Sequence, residues 1–200
     1  MQKTQSLEFG KFYHIYNRGI NSENLFKENR NYEYFLMLYS KHINPLAETY
    51  AWCLLKNHFH LLVKIKTFEE IIENQKDKKQ TTIIHPYQAF GNLFNAYTKA
   101  INKGYIRHGA LFERPFKRKL IDNNSYLCSI IKYIHNNPVN HRFCEHPIEY
   151  PWSSYRTCLS EKSTKLKREK VIAIFNSIEN FKVYHNKIED LSYLEDYLNL

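Results

Sequence analysis

An α+β fold on one antiparallel sheet is expected for this chain, and three observations carry the expectation. Short stretches alternating in the manner of half-buried strands, or rich in aromatic and β-branched residues, lie at Phe12 to Asn17, Tyr50 to Leu55, His58 to Ile65 and Phe112 to Ile121. Between them, apolar residues three and four apart mark helices, first from Asn31 and then from Pro86. Only Lys56-Asn57 separates the second and third strands, which forces a tight hairpin with Asn57 in the turn.

The elements follow in order. The first strand ends at the turn Arg18-Gly19. Tyr34, Phe35, Leu38 and Tyr39 give the first helix its apolar face, and Asn44-Pro45 stops it after about Ile43. Thr67 to Ile84 is polar around Asp77-Lys78-Lys79-Gln80 and reads as a surface excursion with a short helix near Glu69 to Glu73. Pro86 opens a second helix with a stripe of Phe90, Leu93, Phe94, Tyr97 and Ile101 that closes at Gly104. Asn123-Asn124-Ser125 caps a third helix that begins near Tyr126 and is expected to end at Pro138. The resulting order, βαββαβ and one more helix, is ferredoxin-like, with both crossover helices on one face of the sheet. Residues 1–140 are expected to form this core, and 141–200 a helical C-terminal extension packed on it.

The 200 residues suffice for one main domain. A net charge of +9 and a 16% aromatic content suit a nucleic-acid surface, where phosphates attract cations and unpaired bases stack on rings; a basic protein with an aromatic core would look the same. Cys53, Cys128, Cys144 and Cys158 form no Cys-x-x-Cys pair and read as reduced thiols of a cytoplasmic protein. Residues 1–11 lack the apolar stretch of a signal peptide, and no run approaches membrane-spanning length.

Chemistry concentrates in two places. On the third strand, His58 and His60 leave the same face with Cα atoms roughly 7 Å apart, while Phe59, Leu61, Val63 and Ile65 fill the other. Two adjacent imidazoles suit a divalent metal, although paired histidines are more often surface or hydrogen-bonded residues. The first and third strands should pair antiparallel, bringing Asn17 and Arg18 beside His58, and the helix after the fourth strand should cover the histidine face. On that helix Tyr133 and Asn137 are one turn apart, so a phenol and an amide oxygen point together, about 6 Å apart at Cβ. A phenol with a pKa of about 10 serves as both nucleophile and leaving group in a transesterification. The plainer alternative makes Tyr133 a core-edge residue. A zinc site from His141, Cys144 and His146 is a weaker candidate that lacks a fourth ligand.

His58-Phe59-His60 with Tyr133-Ile134-His135-Asn136-Asn137-Pro138-Val139 resembles the single-tyrosine HUH transposases, and most of all the REP-associated tyrosine transposases. Tyr13 to Gly19, Arg107-His108-Gly109, Leu111-Phe112-Glu113 and Tyr150 to Tyr155 add to the similarity, which spans roughly residues 10 to 160. The resemblance implies cleavage and strand transfer on single-stranded DNA, often at hairpin-marked ends. Carried over, His58, His60 and Asn137 bind a divalent metal, Mg²⁺ or Mn²⁺, and Tyr133 attacks the phosphate. The resemblance allows either a monomer or a homodimer that exchanges the tyrosine helix.

A basic track of Arg18, Arg107, Arg114, Lys117, Arg118 and Lys119 is expected to contact DNA, with Lys99 and Lys103 on a solvated helix face. Past Pro151 the chain reads as a helix over Ser153 to Leu159, a lysine-rich connector, and two short helices from Val171 to Leu200 that pack on the domain or clasp a hairpin. Two rivals remain beside the enzyme: a hairpin-binding regulator that does not transpose, and an RNA-binding domain of the same fold.

Overall fold

The computed structural model describes residues 6–76 and 85–187. Four strands, β1 (Phe12–Arg18), β2 (Ala47–Leu54), β3 (His58–Ile65) and β4 (Lys117–Ile121), form one sheet in the order β2-β3-β1-β4. All neighbours are antiparallel. Helices α1 (Asn29–His42) and α3 (Pro86–Gly104) are the crossovers, α2 (Phe68–Lys76) lies within the excursion, and α4 (Asn124–Asn140) follows β4. Beyond it come α5 (Tyr155–Leu159), α6 (Arg168–Ile174) and α7 (Ile178–Asn186). The Asp77 to Gln80 stretch and residues 188–200 lie outside the described residues.

Strand alternation divides the sheet into two faces with separate cores. Tyr13, Ile15, Phe59, Leu61, Val63 and Ile65 meet Phe35, Leu38, Phe90, Leu93 and Tyr97 of α1 and α3. The opposite face is covered by Ile130, Ile131 and Ile134 of α4, around which Tyr155, Val171, Phe175 and Phe181 of α5 to α7 close. Fully burying each such side chain contributes about 1.5–3 kcal/mol, so α4, apolar on two sides, is held between sheet and extension. Among the described residues no helix is long and apolar enough to cross a membrane. All four cysteines are free thiols.

The extension also seals the β2 edge. Leu54 N–H donates to Trp152 O, Ser154 N–H to Trp52 O and Lys167 N–H to Thr49 O, each at 2.9 Å, so backbone groups that would face solvent are paired.

Three expectations shift. The ladder of β4 begins at Lys117 instead of Phe112, because Pro115 has no N–H to donate; upstream, only an isolated bridge joins Phe112 to Gly19. Pro138 does not end α4, which runs on to Asn140; a proline so near the C-terminus removes one backbone bond and leaves the last turn intact. β2 starts three residues early, at Ala47, and a register shift between Thr49 and Ala51 hides its alternation from a period-two reading.

Candidate active site

The β1–β3 register sets Arg18 opposite His58 and Tyr16 opposite His60. His14, Tyr16, Arg18, His58 and His60 therefore share the face that α4 crosses. A cleft of about 540 Å³ opens there, lined among others by His58, His60, Tyr133, Arg18, Lys117 and His141.

His58 sits between two amide oxygens: its Nδ1 is 2.8 Å from Asn57 Oδ1 and its Nε2 is 3.2 Å from Asn137 Oδ1. Burial, the largest influence, lowers its pKa to about 4, so the ring is neutral at pH 7 and carries one N–H for two acceptors. With the proton on Nδ1, donated to Asn57, the Nε2 lone pair faces the Asn137 oxygen. Such a pair of electron donors suits a shared cation. Neighbouring ligands on an octahedral ion with bonds of about 2.1 Å stand about 3.0 Å apart, close to the spacing found.

His60 is buried, and its Nδ1 lies 3.0 Å from His14 Nε2, leaving Nε2 as the nitrogen it can offer to the cleft. Desolvation, followed by the neighbouring His14 and His58, holds its pKa well below the usual histidine value. The two site imidazoles are perpendicular, with centroids 5.2 Å apart. Tyr133, 3% exposed, stands edge-on to His60 at 5.5 Å. Among the described residues no three His, Cys, Asp or Glu side chains group as metal ligands, so a cation here would depend on two imidazoles and the Asn137 amide.

The rim is charged. Arg18 pairs with Glu113 at 3.4 Å, and Asn17 Nδ2 donates to the Glu113 carbonyl at 3.2 Å, fixing the β4 approach segment to the end of β1. The backbone turn beside them requires Gly19, since a Cβ there would overlap the Glu23 carbonyl.

The six cations named from sequence do not form one track. Lys117 and Lys119 pair with Tyr16 and His14, on the site face, whereas Arg118 pairs with Ile15 and lies over the Tyr87 ring at 4.9 Å on the other. Arg114 is exposed at the approach to β4. Arg107 is engaged by Glu23 at 2.6 Å and by the Ala110 carbonyl, which neutralises it in place. The zinc candidate does not assemble either. Both nitrogens of His146 are occupied, one by Asn186 Oδ1 at 2.9 Å and the other by Ile148 N–H at 3.1 Å.

Two residues of this site are not assigned to it by the sequence, which offers His141 only as part of the zinc candidate. His14 carries no motif spacing of its own; its signal is that it shares strand parity with Tyr16 and Arg18. His141 falls one helical turn beyond Asn137, and its ring is 4.9 Å from that of His58.

A buried chain of hydrogen bonds anchors α4 from behind. The Phe181 carbonyl accepts from His185 Nδ1 (2.7 Å), so His185 Nε2 accepts from His135 Nδ1 (2.9 Å), and His135 Nε2 accepts from Ser154 Oγ (2.8 Å). Ser154 Oγ in turn accepts from Trp52 N–H (2.9 Å). Every direction follows from the carbonyl, which only accepts, and from neutral imidazoles, whose charged forms burial disfavours. His135 lies midway between Tyr133 and Asn137, so the chain fixes the segment that carries both.

No family model matches the chain. Over 108 residues it is 27% identical to a Haemophilus influenzae protein assigned as a REP-associated tyrosine transposase, a match covering 54% of this chain and 58% of that protein. The chain thus spans little more than half the length of this relative. Its fold matches that of a solved REP-associated tyrosine transposase bound to a REP hairpin, with a TM-score of 0.61 over 80% of this chain and 86% of the other. The chain is similar to the REP-associated tyrosine transposases. At 15% identity the likeness to the solved REP-associated transposase is one of fold: a four-stranded antiparallel sheet with its helices.

Proposed function

We propose that this protein cuts and rejoins single-stranded DNA at hairpin-bearing sites, through a covalent link to Tyr133. The observation that carries the reading is that Tyr133, His58 and His60 line one cleft, with the Asn137 amide oxygen 3.2 Å from His58 Nε2. The names of the sequence relative and of the structural neighbour support the same class of chemistry.

In the proposed step the Tyr133 oxygen attacks the scissile phosphorus. A phenolic O–P bond forms, the bond from phosphorus to the 3′ oxygen breaks, the phenol loses its proton and the departing 3′ oxygen gains one. The product is a 5′-phosphotyrosine and a free 3′-hydroxyl, and attack by another 3′-hydroxyl reverses the exchange. His58, His60 and Asn137 would hold a divalent ion, Mg²⁺ or Mn²⁺; when bound it neutralises charge on the phosphate oxygens. His58 and His60, kept neutral by burial, present lone pairs without a competing proton. Lys117, Lys119, Arg18 and Arg114 bring positive charge to the strand, while Arg107 serves Glu23.

The test is incubation of a labelled, hairpin-flanked single strand with the protein and Mg²⁺ or Mn²⁺, followed by denaturation. A surviving protein–DNA adduct that disappears in Tyr133→Phe is the expected result; an adduct undiminished in that variant overturns the assignment. The depth of Tyr133, 3% exposed, favours one second reading, a protein that grips a hairpin without cutting it. Hairpin binding with no adduct under any divalent ion would select it.

A further inference from the structure

His14 is the most deeply placed polar residue of the site face, with no exposed surface. Its ring stacks on Tyr16 (centroids 4.9 Å, planes 22° apart) and on His60 (5.1 Å, 13°), and meets the edge of Tyr133 at 6.2 Å. Its Nε2 makes one hydrogen bond, to His60 Nδ1 at 3.0 Å, and its Nδ1 is buried with no partner. A buried polar atom left unpaired costs about 1–3 kcal/mol. An apolar ring would fill the same space without that cost, so what the imidazole contributes is its one bond to His60.

That bond has two proton arrangements. If His60 Nδ1–H donates to His14 Nε2, the His60 Nε2 carries a bare lone pair toward the cleft. If His14 Nε2–H donates instead, His60 carries its proton on Nε2 and can ligate nothing there. Both arrangements hold the same number of protons, so the choice is one of tautomer and not of charge.

We propose that His14 is a positioning residue that accepts the Nδ1–H of His60, fixing the tautomer and ring orientation in which His60 presents Nε2 to a divalent ion. The proposal rests on the reading of His60 as a ligand. It adds that the ligand's orientation is set from β1, through a side chain that touches neither ion nor substrate. Partners of this kind alter metal affinity by about 10–100-fold when removed.

Two measurements on the full chain test it. The first is Mn²⁺ affinity, read by the loss of free-ion paramagnetic resonance signal, in the parent, His14→Phe, His14→Gln and His58→Ala. His14→Phe keeps the stacked ring but not the acceptor and should weaken Mn²⁺ binding about 10–100-fold. His14→Gln restores an acceptor oxygen and should recover most of the loss. Parent-like affinity in a folded His14→Phe overturns the proposal. The second is the tautomer of His60 in the unaltered protein, read from histidine ¹⁵N shifts with and without Mg²⁺. A proton on Nδ1 is expected, and one on Nε2 in the presence of Mg²⁺ overturns the proposal even if the variants fail to fold. If the parent shows no saturable Mn²⁺ binding and resembles His58→Ala, the ligand reading fails. The metal-free spectrum then decides His14 alone, a proton on His60 Nε2 overturning its role.

Discussion

The ring of Tyr133 stands at 84° to that of His60, with centroids 5.5 Å apart, so its contact with the histidine is made by the ring and does not depend on the hydroxyl. Tyr133→Phe keeps that contact. Loss of covalent DNA capture is expected with a stability change within about 1.5 kcal/mol, the range of one hydrogen bond, measured by urea denaturation beside the adduct assay. A variant that unfolds would instead assign the phenol to the core.

His58→Ala and Asn137→Ala remove the two groups that stand 3.2 Å apart. Each should lower ion-supported cleavage at least about a hundredfold, equivalent to about 2.7 kcal/mol of transition-state stabilisation. Chelation of the parent with EDTA should have the same effect, and cleavage that persists in EDTA would argue for a metal-free mechanism.

The split of the basic residues between two faces makes a directional prediction for binding. Lys117→Ala should reduce the slope of log affinity against log salt by about 0.7, the value for one phosphate contact on a single strand. Arg107→Ala, by removing the partner of Glu23, should lower stability more than it changes that slope. Equal slopes for Lys117→Ala and the parent would place the DNA elsewhere.

Buried histidines make the fold acid-sensitive. Desolvation lowers the folded-state pKa of His185 to about 4, aided by Lys132 and His146 and opposed by the Phe181 carbonyl it donates to. The unfolded chain takes up this proton near pH 6.5, the folded one only near 4. The stability is therefore fully present above pH 6.5 and falls between 6.5 and 4, by up to about 1.4 kcal/mol per pH unit for this group. Urea midpoints at pH 7.5 and 5.5 should differ, and His185→Gln should narrow the difference. Equal midpoints in the parent would contradict the burial.

The sheet order was legible because a two-residue hairpin and clear alternation in β1 and β3 leave little freedom of register. The same alternation, applied to Lys117, Arg118 and Lys119, would have divided the basic track; counting charges along the chain concealed it. Tyr133 and Asn137 could be paired because helical spacing is local. His14 could not be tied to His60 without the strand register, since their bond joins residues 46 apart. Nor could Ser154 be matched to Trp52, 102 residues away, because the contact is made by an irregular segment without periodicity.

In this structure helix α4 packs between its own sheet on one side and α5 to α7 on the other, which sets Tyr133 beside the histidines of the same chain. Function should then be inseparable in mixtures: a His58→Ala chain combined with a Tyr133→Phe chain should show no more adduct than either alone. Each molecule would hold one DNA end at a time, and joining two ends would call for two molecules or two successive turnovers.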